Sequence, residues 1–173
     1  MALKLGTQLS LEARPSNTVL VEAASVCNPF LEEHYYLGTL AHAQLWLATF
    51  TEDELTQCQA WRWPTSRNLP ADQSVLELSR WCIGSAARRN AGSWFNARAM
   101  RIIRQSFPTV TTLVSYSELG KHEGGLYRAS NWEAWPTHHA ERFLRDGVGY
   151  PSGHGSWNGV DVEAPKMRWR YDL

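Results

Sequence analysis

The run from Val75 to Ser117 constrains this chain more than any other part of it, because it reads as strand, loop, helix and strand in immediate succession. Val75 to Ile83 (VLELSRWCI) alternates with the two-residue period of a strand, setting Leu76, Leu78, Arg80 and Cys82 on one face and Val75, Glu77, Ser79, Trp81 and Ile83 on the other. Gly84 to Ser93 is small, polar and arginine-bearing, and opens a helix that ends near Ser106, before Pro108. In that helix Phe95, Ala99, Ile102 and Ile103 recur on one face, with Arg98, Arg101 and Arg104 on the other. Thr109 to Ser117 is rich in β-branched residues and reads as the next strand. Two strands joined by a crossover helix make a right-handed βαβ unit. The expectation is an α/β fold with a mixed sheet.

The flanking segments are read with the same rules. Leu3–Leu11 and Thr18–Ala23 suggest short strands, and Asn28-Pro29 suggests the start of a helix over Phe30–Leu37, closed by Gly38. Leu40–Phe50 reads as a buried strand, Thr51 with Glu54 as a capping box for a short helix, and Trp61–Asp72 as a proline-bearing loop. Gly125–Trp135 is expected to be helical, and Met167–Asp172 a final strand. No repeat or linker divides the chain, so residues 1–173 are read as one domain.

Composition excludes several classes. With 43% hydrophobic and 20% charged residues the chain is neither disordered nor a coiled coil. Its longest apolar stretch, Leu40–Phe50, carries His42 and Gln44 and is about half of what a membrane span needs. The N-terminus has no apolar core of signal-peptide type, so a cytoplasmic address is expected. Cys27, Cys58 and Cys82 have neither disulfide nor zinc spacing and are expected to be buried thiols. His138, His139 and His154 are read as loop residues, and no metal site is expected.

Charge is unevenly spread. The net charge is zero, yet residues 1–86 hold five basic against nine acidic residues and residues 87–173 twelve against eight, with fourteen arginines to three lysines overall. Guanidinium pairs with phosphate through two parallel hydrogen bonds, so an arginine-rich half suits a nucleotide or nucleic acid as well as it suits a solvated surface. Nine tryptophans are present. Those in close pairs, Trp61 with Trp63 and Trp132 with Trp135, would serve either as core or as a stacking cradle for bases.

Chemistry is expected where the βαβ unit turns. Arg88, Arg89, Asn90, Gly92 and Ser93 combine guanidiniums, a small residue and a hydroxyl at a helix start, which fits an anion site for a cofactor phosphate. Arg80 on a sheet needs a partner, either Glu77 or Glu118, or else a ligand in a cleft. Ser115, Tyr116, Ser117 and Glu118 close the following strand at the same sheet edge. His34, beside Tyr35 and Tyr36, carries an imidazole, whose ordinary pKa of ~6.5 suits proton transfer.

Two blocks carry a family likeness. Leu76-Glu77-Leu78-Ser79-Arg80 with Arg89-Asn90 and Ser93 form the first. Leu113 to Glu118 with His122-Glu123-Gly124-Gly125-Leu126-Tyr127-Arg128-Ala129-Ser130-Asn131-Trp132 form the second. Together with His34-Tyr35 and the tail Pro165 to Tyr171, they resemble the Mom family of phage DNA-modification proteins. That family is a divergent branch of the GCN5-related N-acetyltransferase (GNAT) fold. The resemblance implies a largely antiparallel central sheet flanked by helices. It also implies a transferase that converts adenine N6 in DNA to a carbamoylmethyl (acetamido) derivative and protects phage DNA from host restriction. By the same resemblance His34, Tyr35, Arg80, Ser93, Glu118 and Tyr127 match the family's functional residues, so that His34, Tyr35, Arg80, Glu118 and Tyr127 would be catalytic, while Ser93 belongs to the loop Arg88, Arg89, Asn90, Gly92 and Ser93 already expected to bind the donor. Ser115, Asn131 and Trp132 would touch the substrate. Glu118 stands where the family more often has Asp, and Trp94 follows the loop where a GNAT bound to acetyl-CoA usually has glycine or alanine. The donor is therefore open between acetyl-CoA and an activated glycine carrier.

The implied reaction sets its own demands. Adenine N6 is a poor nucleophile because its lone pair is delocalised, so a base must take its proton as the N–C bond forms. The target must also be flipped from the duplex. The partners expected are DNA and the donor, with no membrane and with the oligomeric state, a homodimer included, left open. The alternatives are an acyl-CoA-dependent N-acetyltransferase acting on a small-molecule or peptide amine, and a non-catalytic nucleic-acid adaptor.

Overall fold

A computed structural model describes residues 19–119, 122–137, 140–141, 144–145, 150–151, 162–163 and 166–173. The expected strand at Leu3–Leu11 and the three histidines His138, His139 and His154 lie outside the described residues. Seven strands form one sheet: β1 (Val19–Val21), β2 (Leu45–Thr51), β3 (Glu54–Arg62), β4 (Val75–Ile83), β5 (Thr112–Glu118), β6 (Glu133–Ala134) and β9 (Lys166–Asp172). Their order across the sheet is β1-β2-β3-β4-β5-β9-β6, and β7 (Tyr150–Pro151) pairs separately with β8 (Val162–Glu163). Every neighbouring pair is antiparallel except β4 with β5. That parallel pair is joined by helix α2 (Ala91–Ser106), which is the βαβ unit expected from sequence.

Each face of the sheet is closed by one long helix. Helix α1 (Ala24–His34) lays Cys27, Phe30 and Leu31, a helical i, i+3, i+4 set, on Trp46, Ala48, Phe50, Cys58, Ala60 and Cys82. On the other face α2 buries Phe95, Ala99, Met100 and Ile103 against Leu45, Leu47, Trp61, Leu76, Leu78, Leu113 and Trp169. All three cysteines are free and buried in the first cluster, where burial pushes the Cys82 thiol up to about 11.

The structure corrects four local expectations. Helix α1 runs over Ala24–His34 rather than Phe30–Leu37, with Pro29 inside it. Asn28 does not cap it; its side-chain amide instead brackets Leu40, donating to the carbonyl at 3.1 Å and accepting from the N–H at 3.0 Å. The Thr51/Glu54 pattern makes no helix. Glu52 and Asp53 take left-handed φ values of 50° and 65°, the geometry of a two-residue hairpin turn whose twist matches the strands it joins. Helix α3 is confined to Gly125–Ala129, and the chain then turns at Asn131 (φ 61°) into β6. In β4 the simple alternation is broken: Ala60 opposes Arg80 while Trp61 opposes Leu78, so Ser79 is an extra, unpaired residue. Trp81 therefore joins Leu76 and Leu78 on the α2 face, and Arg80 and Cys82 turn to the α1 face.

Candidate active site

The site lies where the parallel pair comes apart. Strands β4 and β5 are bonded only from Val75–Leu78 to Thr112–Ser115, after which β4 continues to Ile83 and β5 to Glu118 without pairing to each other. Diverging strands leave backbone groups unpaired and a gap between them. A cleft of about 250 Å³ fills this fork. Tyr35 and Tyr36 line it from the chain after α1, Trp81 from β4, Tyr116 and Ser117 from β5, and His122 to Tyr127 from the following loop and α3. Side chains from both faces of the sheet share the wall, so the opening runs between the strands.

Tyr127 sits at the root of the fork. Its ring stacks on Trp169 at 5.0 Å and meets Trp81 and Trp132 edge-on. Its hydroxyl lies 2.8 Å from Ser115 Oγ, which in turn donates to the Leu78 carbonyl at 2.9 Å. A serine hydroxyl has one hydrogen, so Tyr127 must be the donor in the first contact. Burial pushes the Tyr127 phenol up to about 12. Tyr35 is also raised, first by burial and then by its neighbours Tyr127 and Tyr36, well above the usual phenol range. Both groups stay protonated at neutral pH, so they can donate a hydrogen bond or a proton and do not serve as bases.

Arg80 holds the tyrosines in place. Its guanidinium donates to the carbonyls of Gly38 (3.2 Å), Thr39 (3.4 Å) and Ser79 (2.9 Å), reaches Leu37 O at 3.5 Å, and lies 5.8 Å from the Tyr35 ring centroid. Neither expected carboxylate partner is used in these contacts, because Glu77 is taken by Arg62 at 2.8 Å and by the Ser79 hydroxyl at 2.8 Å. Desolvation lowers the Arg80 pKa, consistent with a cation held mainly by carbonyl dipoles. Arg80 is thus a positioning residue for the turn that follows α1.

The opposite lip is built on Gly124. Its φ is +73°, and a Cβ there would fall 1.9 Å from Trp169 Cζ2, so the position accepts only glycine. Arg128 donates to the Glu123 carbonyl and lies 5.3 Å from the Trp169 ring centroid, which fixes the loop carrying His122. The His122 ring in turn meets Tyr36 at 5.3 Å. Sequence reasoning gave His122 and Trp81 no role, and named Tyr36 and Tyr116 only as members of the clusters at His34 and at the end of β5. The one signal for the loop carrying His122 is the glycine doublet Gly124-Gly125, six residues beyond the end of β5, which marks a turn or a close backbone approach.

Of the residues expected from sequence, the cleft brings together Tyr35 and Tyr127, with Ser115 bonded behind them. His34 is outside the cleft lining; its ring edge packs on Phe30 at 4.6 Å and its Nε2 lies 3.7 Å from Glu33. Glu118 ends β5 opposite Lys166, and its carbonyl accepts the His122 N–H at 3.0 Å. Asn131 is exposed in its left-handed turn. Trp132, 4% exposed, stacks on the fully buried Trp61, so both belong to the core rather than to a stacking cradle. Trp63 packs edge-on against Phe107.

The arginine loop opens elsewhere. Arg88, Arg89 and Asn90, with Trp94, face Thr49, Thr56 and Gln57 across a groove of about 380 Å³ that shares no residue with the tyrosine cleft. Ser93 does not cap α2; its hydroxyl donates to Asn90 O at 3.1 Å, and Asn90 itself is left-handed (φ 64°). Gly92 is filled from outside: a Cβ there would meet Leu126 at 2.5 Å and Ile83 at 2.7 Å. Glycine at 92 therefore serves the packing of Leu126 and Ile83 on the first turn of α2.

Among the described residues no helix is long and apolar enough to cross a membrane, and no three His, Cys, Asp or Glu side chains gather as metal ligands.

The model of the Mom protein family matches residues 21–157, most of the chain. No curated protein matches the sequence closely. Among solved structures, a ribosomal-protein-alanine N-acetyltransferase from Brucella melitensis superposes with a TM-score of 0.59 at 15% identity, covering 90% of this chain and 99% of that one. A GNAT-family acetyltransferase from Streptococcus pneumoniae gives 0.59 at 12% identity, covering 90% and 100%. A GNAT-family acetyltransferase from Elizabethkingia anophelis with acetyl-CoA bound gives 0.58 at 12% identity, covering 90% and 97%. At these identities the likeness establishes a GNAT-like fold.

Proposed function

This chain belongs to the Mom protein family, and from that premise we propose that it is a DNA-modifying transferase that places a carbamoylmethyl group on N6 of adenine. The observation that carries the reading is the forked cleft, where an imidazole and several protonated phenols face one another across the gap between β4 and β5. In such a reaction the N6 lone pair forms the new N–C bond, the bond from that carbon to its leaving group breaks, and one N6 proton must go to a base. His122, with its ring against Tyr36, is the lining side chain best suited to take that proton. Tyr127, donating to Ser115 at rest, can turn its hydrogen bond toward the departing group. Tyr35 and Tyr36 offer aromatic faces for a base flipped into the cleft. The reaction would serve to shield phage DNA from restriction.

The groove at the start of α2, with Arg88 and Arg89, offers the guanidiniums and helix-start N–H groups that would hold a coenzyme A pyrophosphate, and no step here is routed through that group. The specific observation favouring the second reading, an acyl-CoA-dependent N-acetyltransferase, is the fold shared with a relative that has acetyl-CoA bound.

Expression in a bacterium followed by nucleoside mass spectrometry of its DNA tests the proposal. A modified deoxyadenosine is expected, and it should fall at least tenfold with His122→Ala and with Tyr127→Phe. Unmodified DNA in cells holding soluble, folded protein, together with acetyl-CoA turnover on a small amine, would transfer the assignment to the second reading.

A further inference from the structure

Resting on the DNA reading above, we infer that Trp135, Arg168 and Arg170 form a docking platform for the DNA strand that bears the target adenine. A base beside the target would stack on the indole, and the guanidiniums would hold the backbone phosphates.

Trp135 is unlike the tryptophans of the core. Trp61, Trp132 and Trp169 are at most 4% exposed, whereas Trp135 is 41% exposed at the sheet edge beside β6. Its backbone N–H is fixed to Arg168 O at 2.8 Å. The Arg168 guanidinium carbon lies 3.5 Å from the Trp135 ring centroid and that of Arg170 lies 5.3 Å from it. A guanidinium in contact with an indole presents positive charge and an aromatic surface as one preorganised unit, which matches a nucleotide's phosphate and base together.

The platform is continuous with the cleft. Arg168 is the register partner of Tyr116, which lines the cleft, and the Arg168 guanidinium acts on the Tyr116 hydroxyl through charge and a hydrogen bond. Arg168 and Arg170 lie on the face opposite the buried Met167 and Trp169, the same face as Tyr116. Helix α1 packs on that face over β2, β3 and β4. From β5 to β6 is two strand spacings, about 10 Å, or roughly three nucleotides at about 3.4 Å each. The acids beside the strip are Asp172, which accepts from Arg170 Nε at 2.9 Å, and Glu133, the register partner of Arg170. Arg168 therefore offers the strongest contact and Arg170 a partly neutralised one.

Fluorescence anisotropy with a labelled, adenine-containing single-stranded oligonucleotide, measured over a range of salt, tests this with the full chain. Trp135→Ala should weaken binding about tenfold with the salt dependence unchanged, because stacking but no charge is lost. Trp135→Phe should recover most of the affinity, which a merely structural role would not predict if both variants melt alike. Arg170→Gln should lower the log–log salt slope by about 0.7. If the wild type binds the oligonucleotide and Trp135→Ala binds it equally well, the strand docks elsewhere and the proposal is overturned. If the wild type neither binds any oligonucleotide nor changes DNA mass in cells, the DNA reading itself fails and takes the platform with it.

Discussion

The tyrosine cleft and the arginine groove lie on the same βαβ unit and are built on opposite principles. The cleft is assembled from distant parts of the chain and braced from behind, by Arg80 on the carbonyls of residues 38 and 39, by Gly124 against Trp169, and by Ser115 between Tyr127 and Leu78. The groove gathers Arg88, Arg89 and Asn90 from one loop over a floor of Thr49, Thr56 and Gln57. The cleft is preorganised, as bond-making chemistry requires. The groove presents charge on a loop, which suits association more than catalysis.

That contrast can be broken most sharply at Gly124. Gly124→Ala should cost about 3 kcal/mol, since the new methyl group collides with a buried indole and the backbone is left-handed. That corresponds to a fall in Tm of roughly 10 °C for a chain of this size. Gly125→Ala, with nothing within 4 Å of its Cβ, should stay within about 0.5 kcal/mol. Equal melting of the two variants would show that the lip is not braced as described.

Next in size is Arg80→Ala, expected to cost about 2 kcal/mol through carbonyls left without their charged donor. DNA modification should be lost with it, and Arg80→Lys should restore stability better than activity, because an ammonium cannot span the same fork of acceptors. A variant that melts early yet modifies DNA normally would separate the Arg80 clasp from the site.

Tyr127→Phe should cost about 1 kcal/mol at neutral pH. The folded phenol titrates at about 12 against an ordinary 10.0, so the folded state holds its proton more tightly. Stability from this group is complete below about pH 10 and is lost as pH rises toward 12. Denaturant unfolding between pH 8 and 12 should accordingly show a shallower alkaline decline in Tyr127→Phe than in the wild type.

The smallest effect on folding is expected in the groove. Arg88→Gln and Arg89→Gln should each change stability by less than about 0.5 kcal/mol. Each should reduce the salt dependence of DNA binding only if that loop meets a phosphate. A large loss of stability in either variant would mean that the groove is braced like the cleft.

How much of this was legible in the sequence follows the range of the interactions involved. The unit from Val75 to Glu118 was readable because its strands and helix follow local periodicities and end at a proline. The hairpin at Glu52-Asp53 was not, since Thr51 and Glu54 satisfy a helix-start pattern and only pairing with β3 decides between the two. Asn28-Pro29 misled for the same reason: the asparagine serves a residue twelve positions away. Gly92 looked open to a ligand, and the side chains that fill it come from β4 and α3. Tyr35 and Tyr127 entered through a family likeness. The lip with His122 depends on a glycine fitted to Trp169, a contact no local pattern reveals.

The unpaired Ser79 carries a consequence for how this chain can vary. It is the one residue of β4 without an opposite number on β3, and removing it would let Leu78 and Arg80 follow one another as Trp61 and Ala60 do. The residues beyond it would keep their sides, the Trp81 indole beneath α2 and the Cys82 thiol beneath α1. A one-residue deletion is therefore absorbed at this point, whereas the same deletion inside β5, whose register with β9 is unbroken, would turn every side chain beyond it to the wrong surface.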